Sequence, residues 1–181
     1  SLAGPAIDTQ AWQATLALAG PLEAPTLTAT VRAPATATHP EQSLLAQAGL
    51  RPFAAWPLAD VQARTQAFDL SALSASAPIT SLTGEVTLQS EAADQPIHAR
   101  IALSNAKAGR WNDGYLPLRR LSADMVGRAD ERSQFELKRV NAEFGNTDDA
   151  AGRLEGSGRW SPERSTLAAT LHSLQPALLD A

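Results

Sequence analysis

Hydrophobic and polar positions alternate along most of this chain with the two-residue period of β-strands, most regularly across residues 79–105. In the first arm of that stretch Leu82, Gly84, Val86 and Leu88 share one side, and Thr83, Glu85, Thr87 and Gln89 the other. In the second arm Ile97, Ala99, Ile101 and Leu103 oppose His98, Arg100, Ala102 and Ser104. The break between them, Glu91-Ala92-Ala93-Asp94, is short and polar, so the arms pair as an antiparallel hairpin with one dry and one wet face.

The same period recurs on both sides of the hairpin. Trp12, Ala14, Leu16 and Leu18 alternate with polar or small residues up to Gly20-Pro21, and Leu27, Ala29 and Val31 alternate with threonines. Residues 33–57 break the pattern, punctuated by Pro34, Pro40, Pro52 and Pro57. There Leu44, Leu45 and Ala48 share a helical face, so either a short plug-like helix over 40–48 or an ordered surface loop fits. Val61, Ala63 and Thr65 resume the alternation, and Phe68 and Leu70 are out of phase with them, which predicts a bulge near Ala67. After an Asn112-Asp113-Gly114 turn come Leu121, Ala123 and Met125, then Phe135, Leu137 and Val140. Beyond Gly145-Asn146, strands follow through Leu154, Gly156, Gly158 and Trp160, and through Leu167, Ala169 and Leu171. About nine strands joined by turns, with no long helix, define an all-β meander.

Composition narrows the class. Only 5% of residues are aromatic, so the dry surface is made from Leu, Val, Ile and Ala, and a thick aromatic core is hard to build. A net charge of −4 with 19% charged residues argues against nucleic acid, which needs a basic stripe. The charges are uneven: 3 of the 15 Lys/Arg and 6 of the 19 Asp/Glu lie in residues 1–90, leaving threonine to solvate the first half. Absence of cysteine removes disulfides, thiolate nucleophiles and Cys-based zinc sites. No run approaches the roughly 20 apolar residues of a membrane-spanning helix. The chain starts at Ser1 with neither initiator Met nor signal peptide, and is expected to be one continuous β-repeat segment (sub-units 1–57 and 58–181) excised from a longer protein.

No stretch carries recognisable catalysis. His39, His98 and His172 share no metal-ligand spacing, and no cofactor is implied. Asp130-Glu131 and Asp148-Asp149 fall in predicted turns as solvated residues. Gly156-x-Gly158 lacks the following helix of a phosphate loop and reads as a flat or bulged strand. No serine stands in a Gly-x-Ser-x-Gly elbow. The tryptophans Trp12, Trp56, Trp111 and Trp160 are placed at strand ends or groove rims.

Trp56-Pro57 and Trp160-Ser161-Pro162 each precede an alternating strand, and Leu70 and Leu174 follow at the same interval, a faint repeat that suits an elongated array. With this pattern, residues 68–88, 103–121 and 154–179 resemble the TamB branch of the AsmA-like proteins, and the likeness extends over 61–181. That resemblance implies a periplasmic segment of an inner-membrane-anchored protein of Gram-negative bacteria, built as a long curled sheet. It implies an Omp85-type outer-membrane barrel partner (TamA-like). The implied work is outer-membrane biogenesis: phospholipid transport between the membranes, or assembly of client outer-membrane proteins and autotransporters.

A meander curled with its dry face inward forms an elongated open trough. Acyl chains in it gain about 0.8 kcal/mol per methylene removed from water. The expected lining, for lipid or a client strand, is Leu16, Leu18, Leu27, Val31, Val61, Leu82, Val86, Leu88, Ile97, Ile101, Leu103, Leu121, Met125, Phe135, Leu137, Leu154, Leu167 and Leu171. The rival architecture is a structural or adhesive β-sandwich, with two facing sheets, a filled interior and a protein or glycan partner bound through loops.

Overall fold

The computed structural model describes residues 2–3, 11–36, 40–54, 56–72, 74, 76–90, 95–128, 134–161 and 164–179. His39, Asp130, Glu131 and the hairpin break at 91–94 lie outside them. The described strands are β1 (Leu2–Ala3), β2 (Gln13–Ala19), β3 (Thr26–Ala33), β4 (Gln42–Leu50), β5 (Leu58–Phe68) and β6 (Leu82–Ser90). They continue with β7 (Pro96–Asn105), β8 (Leu118–Arg128), β9 (Phe135–Gly145), β10 (Ala150–Trp160) and β11 (Thr166–His172). All eleven form a single sheet whose spatial order is the chain order, with every pair antiparallel. The only helical pieces among the described residues are 3-10 turns at Leu70–Ala72, Trp111–Asp113 and Pro176–Leu178.

Two expectations are corrected. The stretch 40–48 holds no helix: residues 42–48 are most of strand β4. There Leu44, Ala46 and Ala48 alternate with Leu45, Gln47 and Gly49. The hydrogen bonds of β3 on one side and β5 on the other outweigh a short helix, whose first turn is costly to nucleate. The sandwich is also set aside, because one open sheet is present and no second layer faces it among the described residues.

Packing follows from that single layer. The buried apolar side chains are Ala33, Phe68, Ala108, Ala123, Ala142 and Ala151; no Leu, Ile, Val or Met among the described residues is buried. The bulge predicted near Ala67 is present. The β5–β6 register jumps between Thr65 and Phe68, and Ala67 takes a left-handed φ of 49°. The one extra residue returns Phe68 to the apolar face opposite Leu82. A second bulge in β9 re-phases the strand, so that Leu137 pairs with Met125 and Val140 with Ala123. Without it, Val140 would point to the wet side.

Where β5, β7, β9 and β11 finish, the connections are bonded to one another. Ile79 N–H donates to Gly114 O (2.8 Å), Trp111 N–H to Leu179 O (2.9 Å), Gln175 N–H to Ala151 O (2.6 Å) and Gly145 N–H to Pro117 O (3.2 Å). Two of the strand exits share a geometry, in a register two residues off the repeat seen in the sequence. Ala67 (φ 49°) and Ser173 (φ 50°) each stand three residues before a 3-10 turn that leaves the sheet.

Candidate functional site

Cross-strand partners share a face, so the register assigns every side chain. One row runs Leu18, Leu27, Ala48, Val61, Leu88, Ala99, Met125, Leu137, Gly158 and Leu167 from β2 to β11. Beside it lies Leu16, Ala29, Ala46, Ala63, Val86, Ile101, Ala123, Val140, Gly156 and Ala169. A third row is Ala14, Val31, Leu44, Thr65, Gly84, Leu103, Leu121, Ala142, Leu154 and Leu171. Leu82, beside Phe68, and Ile97 and Phe135, paired with Ser90 and Gly127, complete the face at its two margins. All the residues expected to line a trough therefore lie on one face of one sheet.

The three rows contain no charged residue. Across nine interstrand spacings of about 4.8 Å they extend about 43 Å. The middle row is mostly Ala, Val, Ile and Gly, with leucine only at the β2 edge, so it is lower than the leucine-bearing rows beside it. In the third row Gly84 is needed for close approach: a Cβ at this position would overlap the Ala102 carbonyl and lie 2.8 Å from Leu103 Cα.

The face curls. Trp12, just before β2, stands edge-on to Phe68 of β5, with ring centroids 5.6 Å apart. Three flat strand spacings would separate their backbones by about 14 Å. Trp56, in the β4–β5 connection, lines a cavity of about 250 Å³ together with Ile97, Met125 and Phe135, from strands as far away as β9. On the other flank of Phe135 a second hollow, about 300 Å³, is lined by Leu137, Gly158, Trp160 and Leu167. Phe135 and Trp160 stack between the two at 6.1 Å and 13°. Phe135 is 44% exposed, Trp160 52% and Leu167 72%, as befits an uncovered rim. Trp12 and Trp160 sit at strand ends, Trp56 in the β4–β5 connection and Trp111 in the 3-10 turn between β7 and β8. A twisted sheet is saddle-shaped, so the wet face has hollows too, including one of about 530 Å³, but polar residues such as Thr83, Arg120, Asn141 and Glu143 line it.

That wet face carries ion pairs: Arg64–Glu85 (3.1 Å), Arg100–Asp124 (2.9 Å), Arg119–Glu143 (3.5 Å) and Lys138–Glu136 (2.9 Å). Such solvated pairs contribute little to stability, but they hold polar side chains away from the apolar rows. A hydrogen bond from Gln62 lowers the Glu85 carboxyl below its ordinary value, and Arg64 adds a further bond and its charge. Because the folded value is depressed, the contribution is complete above the unfolded carboxylate range and is lost as pH falls through the lower folded value. Glu85→Gln is therefore expected to unfold more easily than the parent at neutral pH and equally easily in strong acid. Urea unfolding followed across that range measures this difference.

His98 and His172 are exposed on the wet face, and no cluster of three metal-binding side chains occurs among the described residues. Asp148 and Asp149 form a turn closed on Asn146 Oδ1 (2.9 and 2.8 Å). No helix among the described residues is long and apolar enough to cross a membrane.

No protein-family model, curated protein or solved structure matches this chain.

Sequence reasoning missed the β4 contribution of Leu44, Ala46 and Ala48, and left the small residues of the middle row out of the lining although it placed most of them on the dry side. The signal was present as alternation in β4. It was masked because Leu45 breaks the polar side and alanine scarcely marks the dry one. The reach of Trp12 and Trp56 across several strands had no sequence signal, since it depends on curvature.

Proposed function

We propose that this chain is a non-enzymatic, periplasmic segment of a TamB-like outer-membrane biogenesis factor that holds the acyl chains of phospholipids against its apolar face. The observation that carries this reading is the uncovered, uncharged stripe across β2 to β11, in which no Leu, Ile, Val or Met is buried by the protein itself. Apolar surface of this extent costs free energy in water, and a guest with methylene groups recovers about 0.8 kcal/mol for each one covered. Head groups would remain at the wet rims. A client outer-membrane β-strand is the second guest that the family resemblance suggests, and an Omp85-type barrel is the partner it suggests. The face itself favours the acyl chain, because a peptide laid flat on it would leave backbone polar groups unpaired.

The purified chain is expected to bind a fluorescent fatty acid saturably and to release it to competing phospholipid. A linear, unsaturable response, equal to that of a sandwich protein of similar size, would remove the proposal.

A further inference from the structure

Two apolar hollows stand side by side on the dry face, and one aromatic ring belongs to both. Phe135 walls the first with Trp56, Ile97 and Met125, and the second with Leu137, Trp160 and Leu167. Its stack on Trp160 fixes the ring as a divider between them. Both hollows open on the face of the sheet, not at an edge. Each also contains a glycine: Gly127 in the first, opposite Phe135, and Gly158 in the second, opposite Leu137 and Leu167. The ladder itself requires Gly158, because a Cβ there would crowd the Thr166 carbonyl. Nothing local requires Gly127. A Cβ there would sit 3.5 Å from Gln134 O and from Phe135 Cβ, an ordinary contact, and its φ is not left-handed. Glycine inside a strand weakens it, so the missing side chain at 127 serves the space beside Phe135.

Charge is placed as simply. Among the described residues the only charged side chain lining the first hollow is Arg128, and the only one lining the second is Arg159. They lie on β8 and β10, about 10 Å apart across the strand that carries Phe135. Glu136 approaches Arg159 at 3.9 Å but also pairs with Lys138 at 2.9 Å, so that group keeps a net positive charge. The hollows measure about 250 and 300 Å³. An apolar cavity of about 150 Å³ takes the six carbons of a benzene, so each has room for about ten carbon atoms.

Resting on the reading of this face as an acyl-chain site, we infer that the two hollows form one site for a single anionic, two-chain lipid. The lipid straddles Phe135 with one acyl chain in each hollow and its phosphate between Arg128 and Arg159. A fatty acid has one chain for two hollows, and an uncharged glyceride has nothing for two guanidinium groups, which bind phosphate through charge-assisted, often bidentate hydrogen bonds.

Dioctanoylphosphatidylglycerol has chains short enough for each hollow, and hexadecanoyl lysophosphatidylglycerol carries as many acyl carbons and the same head on one chain. Gly127→Leu fills the first hollow and Leu167→Trp the second. In calorimetric titration each substitution is expected to weaken the two-chain lipid by about 30-fold or more, the worth of two or three covered methylenes. The single-chain lipid, free to lie along the rows, should stay within about threefold of its affinity for the parent. Dioctanoylglycerol, which lacks the phosphate, should bind the parent about tenfold more weakly than the phospholipid, the worth of one charge-assisted hydrogen bond. Leu167 is exposed and position 127 has room for a Cβ, so circular dichroism of both variants should match the parent. Undiminished binding of the two-chain lipid by either folded variant, an equal loss of both phospholipids, or a glyceride bound as tightly as the phospholipid would overturn the inference and leave the acyl-chain reading standing. A parent that binds neither phospholipid would overturn both.

Discussion

Ile101→Asp is expected to abolish acyl-chain binding while leaving the protein folded. Ile101 stands between Val86 and Ala123 in the middle row, near the centre of the uncharged stripe. It is only half-buried, so in the free protein an aspartate there stays hydrated and the sheet loses little. When a methylene chain settles over it, that hydration must be stripped from an unpaired carboxylate, at a cost of several kcal/mol. Since about 1.4 kcal/mol is a factor of ten, affinity should fall by about 100-fold or more. Ala102→Asp, one residue further on the wet face and already exposed, serves as the control and should bind as the parent does. Titration of both variants with the same fluorescent fatty acid decides the matter, and equal affinities would place the guest elsewhere.

The second large effect concerns the bonded strand ends. Asp69 is buried at the exit of β5, and its Oδ1 accepts from Ser71 N–H (3.1 Å), Ser71 Oγ–H (2.8 Å) and Thr80 N–H (3.0 Å). Its own N–H donates to Gln42 Oε1 (2.8 Å), at the start of β4. Thr80, 1% exposed, accepts from Leu70 N–H (2.9 Å) and donates to Phe68 O (3.2 Å). One residue therefore joins three places: its backbone N–H the beginning of β4, and its carboxylate the 3-10 turn after β5 and the approach to β6. Asp69→Ala leaves the Thr80 N–H buried without an acceptor, at a cost of about 1–3 kcal/mol. Asp69→Asn keeps an oxygen in place and should lose about half as much. Chemical denaturation of the two variants measures the ordering, and an alanine variant as stable as the parent would show that these bonds hold nothing. Because the sheet has no second layer, such ties, with the strand ladders themselves, replace much of what a core does in a globular domain.

Much of this was written in the period of the chain. Leu82-Gly84-Val86-Leu88 against Ile97-Ala99-Ile101-Leu103 required one hairpin with one dry face, and the structure pairs Val86 with Ile101 and Gly84 with Leu103. The bulge near Ala67 was legible because Phe68 falls out of phase with Thr65, and a buried ring cannot face water. Strand β4 was not legible. Leu44, Leu45 and Ala48 fit a helical face as well as a strand, and nothing local chooses between them. The choice is made by backbone groups of β3 and β5, which are donors and acceptors whatever their side chains.

By itself, then, the order of residues determined the strand type, the antiparallel meander and which side chains share a side, because alternation is a property of consecutive positions. Only the tertiary structure decided that the sheet remains a single layer among the described residues, and that it curls until Trp12 meets Phe68 and Trp56 shares a hollow with Phe135. Those outcomes depend on twist accumulated over many strands and on bonds between distant connections, quantities that no short window of sequence contains.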